Sequence, residues 1–165
     1  GLEIEDVERS WIETFAAGSP GMAELAARYG FARWGMNLRP LLAQAEQGHF
    51  PADLGATLAG LVDEFAESWV KDHKNASKDA ANKDGAAHVL SLLAAWARRH
   101  MRDTAESHAG GGEEADIERW TTYIDIIREA ESMLMSNVNA KLVFEHLAAQ
   151  FTLAGRGRTT TLPVA

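Results

Sequence analysis

Large apolar residues return along this chain at intervals of three and four, the spacing that lays them along one face of a helix. Leu58, Leu61, Val62, Phe65 and Trp69 make one stripe, and Val89, Leu92, Leu93 and Trp96 make a second that continues to His100 and Met101. A third is close to a heptad: Ile117, Trp120, Ile124, Ile127, Leu134 and Val138, with Glu131 as its only charged member. A fourth runs through Val138, Leu142, Val143, Leu147 and Phe151. No stretch alternates with a period of two for more than a few residues, alanine is abundant, and prolines number only 4. The pattern therefore predicts helices and no strand. The expected fold class is all-α, a bundle of about five helices preceded by a short helical piece before residue 30.

Breaks between the stripes carry turn chemistry. In Gly18-Ser19-Pro20-Gly21 the first glycine suits a left-handed helix end, Ser19 can cap the next helix, and Pro20 suits its first turn. Gly48-His49-Phe50-Pro51 is a second break. Lys71 to Ala86 is polar and weakly patterned, so it reads either as a solvated helix extension or as a mobile loop. Thr104 to Asp116 holds Gly110-Gly111-Gly112, a flexible connection whose flanking Glu113, Glu114 and Asp116 favour the start of a further helix. Nothing in the tail after Ala154 offers a face to bury, and residues 155–165 are expected to be disordered. The chain divides into 1–30, 31–154 and this tail, with no internal repeat.

Composition then narrows the function. The 165 residues suffice for one domain with a real core. There are 0 cysteines, which excludes disulfide scaffolds, thiolate metal sites and cysteine nucleophiles. Acidic residues outnumber basic ones by 24 to 16, a formal net charge of −8, the reverse of the balance that a free-standing nucleic-acid binder needs. No apolar run approaches the ~20 residues of a membrane span, and Gly-Leu-Glu-Ile-Glu-Asp at the start is no signal peptide. The expectation is a cytoplasmic protein with no membrane partner.

Six histidines are the first candidates for chemistry: His49, His73, His88, His100, His108 and His146. Di-iron bundles use Glu-x-x-His on two helices, and only Glu46-Gln47-Gly48-His49 has that spacing, running into a turn. No metal site and no cofactor are expected. Ser19 lies between Gly18 and Pro20, where capping accounts for it, and no nucleophile elbow is present. Asp125 and Glu129 lie one turn apart, as acids do on any solvated face. No Gly-Lys pair exists to build a P-loop, and Glu113 and Glu114 beside the glycine triplet would repel a phosphate. Arg98, Arg99 and Arg102 form a basic cluster that could grip a phosphate or an acidic partner surface, or simply complement a helix C-terminus beside Asp103 and Glu106. Trp11, Trp34, Trp69, Trp96 and Trp120 fall mostly on the core stripes. From the residues alone the chain reads as an acidic helical module for protein–protein contact, with no catalytic residue.

Three segments together resemble the C-terminal region of bacterial DNA polymerase III clamp-loader subunits. Phe15-Ala16-Ala17-Gly18-Ser19-Pro20-Gly21-Met22 is similar to the end of their lid domain, where Gly-Ser-Pro-Gly opens the sensor 2 helix. Leu90 to Arg99 resembles the tryptophan-bearing helix of delta prime subunits, although Arg102-Asp103 arrives a few residues late. Ile124 to Phe151 is similar to the collar signature, carried here by Ala130, Leu134, Asn137, Asn139, Leu142, Phe144, Glu145 and Leu147.

The resemblance spans most of residues 10–153. It implies that 1–30 is a remnant of the AAA+ lid and 31–154 a collar bundle, with the ATPase core and its zinc module upstream. Met22 stands where the family's sensor 2 helix carries an arginine that reaches the γ-phosphate, and Arg28 lies six residues further on. That departure favours delta prime over gamma/tau. The implied function is non-catalytic: a collar that joins gamma/tau and delta subunits through the outer faces of its last three helices. Sliding clamp and DNA would be met only through the whole complex. The alternative is a small-molecule-binding effector domain of a transcription regulator, which would need an apolar internal cavity with a few convergent polar groups.

Overall fold

Local capping marks several of the helix boundaries in this chain, at Ser19, Gly48, Ser77 and Asn139 among them. The computed structural model describes residues 2–107 and 114–157. Its helices are α1 (Leu2–Ala16), α2 (Pro20–Tyr29), α3 (Phe31–Glu46), α4 (Leu54–Asp72), α5 (Lys78–Ser107), α6 (Glu114–Met135) and α7 (Ala140–Gly155). No strand occurs among the described residues, so the class is all-α, and five of these helices follow residue 30.

The Gly48 break closes α3 with a Schellman motif: Gly48 N–H donates to Ala45 O (2.9 Å), His49 N–H donates to Gln44 O (3.0 Å), and Gly48 sits at φ 77°. The segment 71–86 combines the two expected alternatives. Helix α4 continues to Asp72, residues 73–77 turn the chain, and Ser77 Oγ accepts from Ala80 N–H (3.3 Å) to start α5. The glycine triplet at 110–112 lies outside the described residues. Pro40 stands inside α3 without ending it.

Helices α4, α5, α6 and α7 form a closed ring in which each packs on the next and α7 returns to α4. Neighbours α5 and α6 run antiparallel, since His100 stacks on Trp120 while Trp96 meets Tyr123. Helix α3 lies outside the ring against α7 and α4, and α1 and α2 pack on α3. Rings of Phe31, Trp34 and Phe65 fill the α3–α4 side, and those of Trp120, Tyr123 and Phe151 fill the other end. All five tryptophans are buried or packed on this core.

Two expectations need correction. The inward seam of α6 is Trp120, Tyr123, Ile127, Ala130 and Leu134, while Ile117, Glu131 and Val138 face solvent. Of the expected heptad, Trp120 and Ile127 are buried and Ile124 and Leu134 pack against the core, so four members face inward; a pattern built on bulky residues passes over Tyr123 and Ala130, whose positions the +3, +4 spacing allows equally. The second concerns residues 155–157, expected to belong to the tail but placed at the end of a helix. Helix α7 runs to Gly155, and Arg156 Nε donates to Gly48 O (2.6 Å), which ties the end of α7 to the C-terminus of α3. Residues 158–165 lie outside the described residues.

Candidate interaction surface

The residues singled out in the sequence separate into three places. Gly18 (φ 84°) and Ala17 (φ 47°) turn the chain out of α1, and Ser19 Oγ accepts from Met22 N–H (3.3 Å) with Pro20 in the first turn of α2. Met22 is half-buried and packs against the core, an apolar role. Arg28 reaches across to Asp72 Oδ2 of α4 at 3.2 Å. Gly21 is exposed.

The Asn-x-Asn signature forms the corner between α6 and α7. Asn137 adopts φ 60°; its N–H donates to Leu134 O (3.0 Å), and Val138 N–H donates to Met133 O (3.1 Å), a second Schellman ending. Asn139 caps α7, its Oδ1 accepting from Lys141 N–H (3.0 Å) and Leu142 N–H (3.4 Å). Ala130 is buried and Leu134 packs on the core. Leu142 points the other way and is 64% exposed. With Met135 at 80% and Val138 at 37%, it puts three exposed large apolar residues within eight positions of this corner.

Arg98, Arg99 and Arg102 are all exposed on α5. Arg99 faces Asp103 at 4.0 Å, the limit of an ion pair, and Arg98 and Arg102 have no carboxylate within that distance among the described residues. Asp125 and Glu129 are exposed on α6, with Asp125 facing Arg128 at 4.0 Å. His49 is exposed in the turn after Glu46. No group of three or more His, Asp or Glu side chains converges as a metal ion requires, among the described residues.

One polar grouping escaped the sequence reading. Glu46, in the last turn of α3, is half-buried with His100 of α5 and Arg119 of α6 around it. Burial pushes its carboxyl above the ordinary range, and the charges of His100 and Arg119 oppose that shift. Tyr123 is pushed up to about 12 by burial and by Glu46, against Arg119, and its hydroxyl donates to Phe151 O (3.2 Å). Arg119 lies near Asp116 (3.5 Å) and over the Trp120 ring. In the sequence Glu46 stands out only as the start of the lone Glu-x-x-His spacing and His100 only as the polar end of an apolar stripe; the meeting of three separate helices has no local signature.

Hollows on the molecule are shallow. One of about 510 Å³ lies between α1 and α2, and another of about 330 Å³ is rimmed by Arg28, Arg33, Glu64 and Asp72, where Arg33 pairs with Glu64. Among the described residues no helix is long and apolar enough to cross a membrane. Geometry thus defines an all-helical bundle with an exposed apolar corner. Compared with protein-family models, curated proteins and solved structures, the chain matches none of them.

Proposed function

We propose that the chain is the non-catalytic collar domain of a DNA polymerase III clamp-loader subunit, delta prime in type, acting in the cytoplasm. It packs beside gamma/tau and delta subunits and keeps their motor domains in register while the complex loads a sliding clamp on primed DNA. The observation that carries the reading is the apolar corner: Met135, Val138 and Leu142 stay exposed within the segment that resembles the collar signature, although the bundle beneath them is filled. An exposed patch of this kind is a partner surface before it is anything else. Met22 adds support for the delta prime type, since its thioether packs on the core where a nucleotide-sensing subunit would present a cation.

The test is assembly with the other clamp-loader subunits of the same source, scored by co-purification and native mass spectrometry. The folded chain is expected to enter the complex. Burying two side chains as exposed as Met135 and Leu142 contributes about 1–2 kcal/mol each, so Met135→Ser with Leu142→Ser should weaken assembly at least about tenfold while leaving the bundle intact. A folded chain that joins no such complex overturns the proposal. On DNA alone the chain should show no binding at physiological salt, given its −8 charge.

A further inference from the structure

The hollow between α1 and α2 has an apolar floor and acidic walls. Ile12, Ala23 and Ala27 form the floor, and Glu5, Glu8 and Glu13 line the walls, with Arg9 the one basic residue among them. Glu5, Glu8, Arg9, Ile12 and Glu13 share a face of α1 by their spacing, whereas Trp11 and Phe15 are committed to α3 through Gly35 and Phe31. Ala23 and Ala27 lie one turn apart on α2 and carry so little bulk that another helix can approach at the usual 8–10 Å between axes.

We infer that this groove docks a basic amphipathic helix of a partner protein, its small apolar side chains on Ile12, Ala23 and Ala27 and its Lys or Arg side chains opposite Glu5, Glu8 and Glu13. Charge selects the occupant. Nucleic acid and anionic lipid are repelled by the walls, and a second copy brings another net charge of −8. A small molecule would find an open trough without the enclosure that ligand pockets provide. The inference goes beyond the collar assignment and does not rest on it, because it uses α1 and α2 alone.

The probe is a synthetic helix of roughly 18 residues with an alanine and leucine stripe flanked by lysine and arginine, titrated into the isotope-labelled chain. Saturable amide shifts are expected only along Glu5–Glu13 and Ala23–Ala27. Replacing the walls together, Glu5→Gln, Glu8→Gln and Glu13→Gln, should weaken binding about tenfold, at two- to threefold per exposed ion pair. Ala27→Phe, at an exposed position that the fold tolerates, should remove the saturable phase by filling the groove. Glu129→Gln with Glu131→Gln on α6 should change nothing. Absent binding, shifts spread equally over α6, equal weakening by the two charge sets, or an unaffected Ala27→Phe overturns the inference.

Discussion

Adding one methyl group at Gly155 should detach the end of α7 from α3. A Cβ built there falls well inside contact distance of Ala45 O, 2.9 Å from Glu46 O and 3.0 Å from the Ala45 carbonyl carbon. These are backbone atoms and cannot rotate aside. The helix end must retreat by roughly 1 Å or more to restore a carbon–carbonyl approach near 3.3 Å. Overpacking of this kind costs about 1–3 kcal/mol, and the retreat also stretches the Arg156–Gly48 hydrogen bond, worth about 1 kcal/mol. Helix propensity returns at most about 1 kcal/mol for Gly→Ala. The net expectation for Gly155→Ala is a loss of about 2 kcal/mol, or roughly 4–8 °C in Tm at this chain length. Gly60 is the matched control: it lies inside α4 with nothing within 4 Å of its built Cβ, so Gly60→Ala should gain about 0.5–1 kcal/mol. Urea titrations followed by circular dichroism, with unchanged m, measure both. If Gly155→Ala proves as stable as the parent, the close α3–α7 approach is wrong, and with it the account of how the end of α7 is held against α3.

The capping residues give a second set. Ser19→Ala and Asn139→Ala should each cost about 1 kcal/mol in the same titration, while at Asn137, held at φ 60°, alanine should cost about 1 kcal/mol or more and glycine nothing. Alkaline absorbance titration should leave Tyr123 un-ionised until about pH 12. Because its folded value exceeds its unfolded one, its stabilising contribution is complete below pH 10 and is lost as the pH climbs toward 12, a loss that Tyr123→Phe removes. His88 behaves in the opposite sense: burial between Phe31 and Phe65 lowers its basicity, against Asp84, so stability should fall as the pH drops below 6.5 and stop falling so in His88→Phe. Glu46→Gln should be at least as stable as the parent at pH 7, with the difference closing below pH 4.5, because the carboxyl's raised value means the fold favours its neutral form. Parallel thermal melts at the two pH values check it.

Helices that present bulky apolar residues on one face were legible in the sequence, and so were the glycine breaks at Gly18 and Gly48. What was lost were contacts made by small residues. The stretch Lys71–Ala86 looked patternless because its inward positions are Ala81, Gly85 and Ala86. At Gly85 a Cβ would stand 3.1 Å from the Phe65 ring and 3.2 Å from Val62 O, so α5 approaches α4 closely there and no large side chain can mark the seam. The same blindness shifted the α6 register away from Ala130. Long-range polar meetings were equally hidden. Glu46 lies 54 positions before His100 and 73 before Arg119 in the sequence, and nothing local to any of them announces the others.

The resemblance-bearing corner shows how far a motif speaks of function. Asn137 and Asn139 are required there by geometry alone, one for a left-handed residue and one for a cap, and any protein turning sharply between two helices would choose from the same few residue types. Ala130 and Leu134 face the core and answer to packing. Met135 and Leu142 answer to neither demand. They are 80% and 64% exposed, make no cap, and a polar side chain at either position would leave the bundle equally well packed. Retaining two large apolar groups on a tight corner, where they raise the risk of indiscriminate association, makes physical sense if a partner covers them. It is therefore these two side chains, rather than the asparagines that make the motif conspicuous, whose replacement separates a collar from an ordinary helical corner.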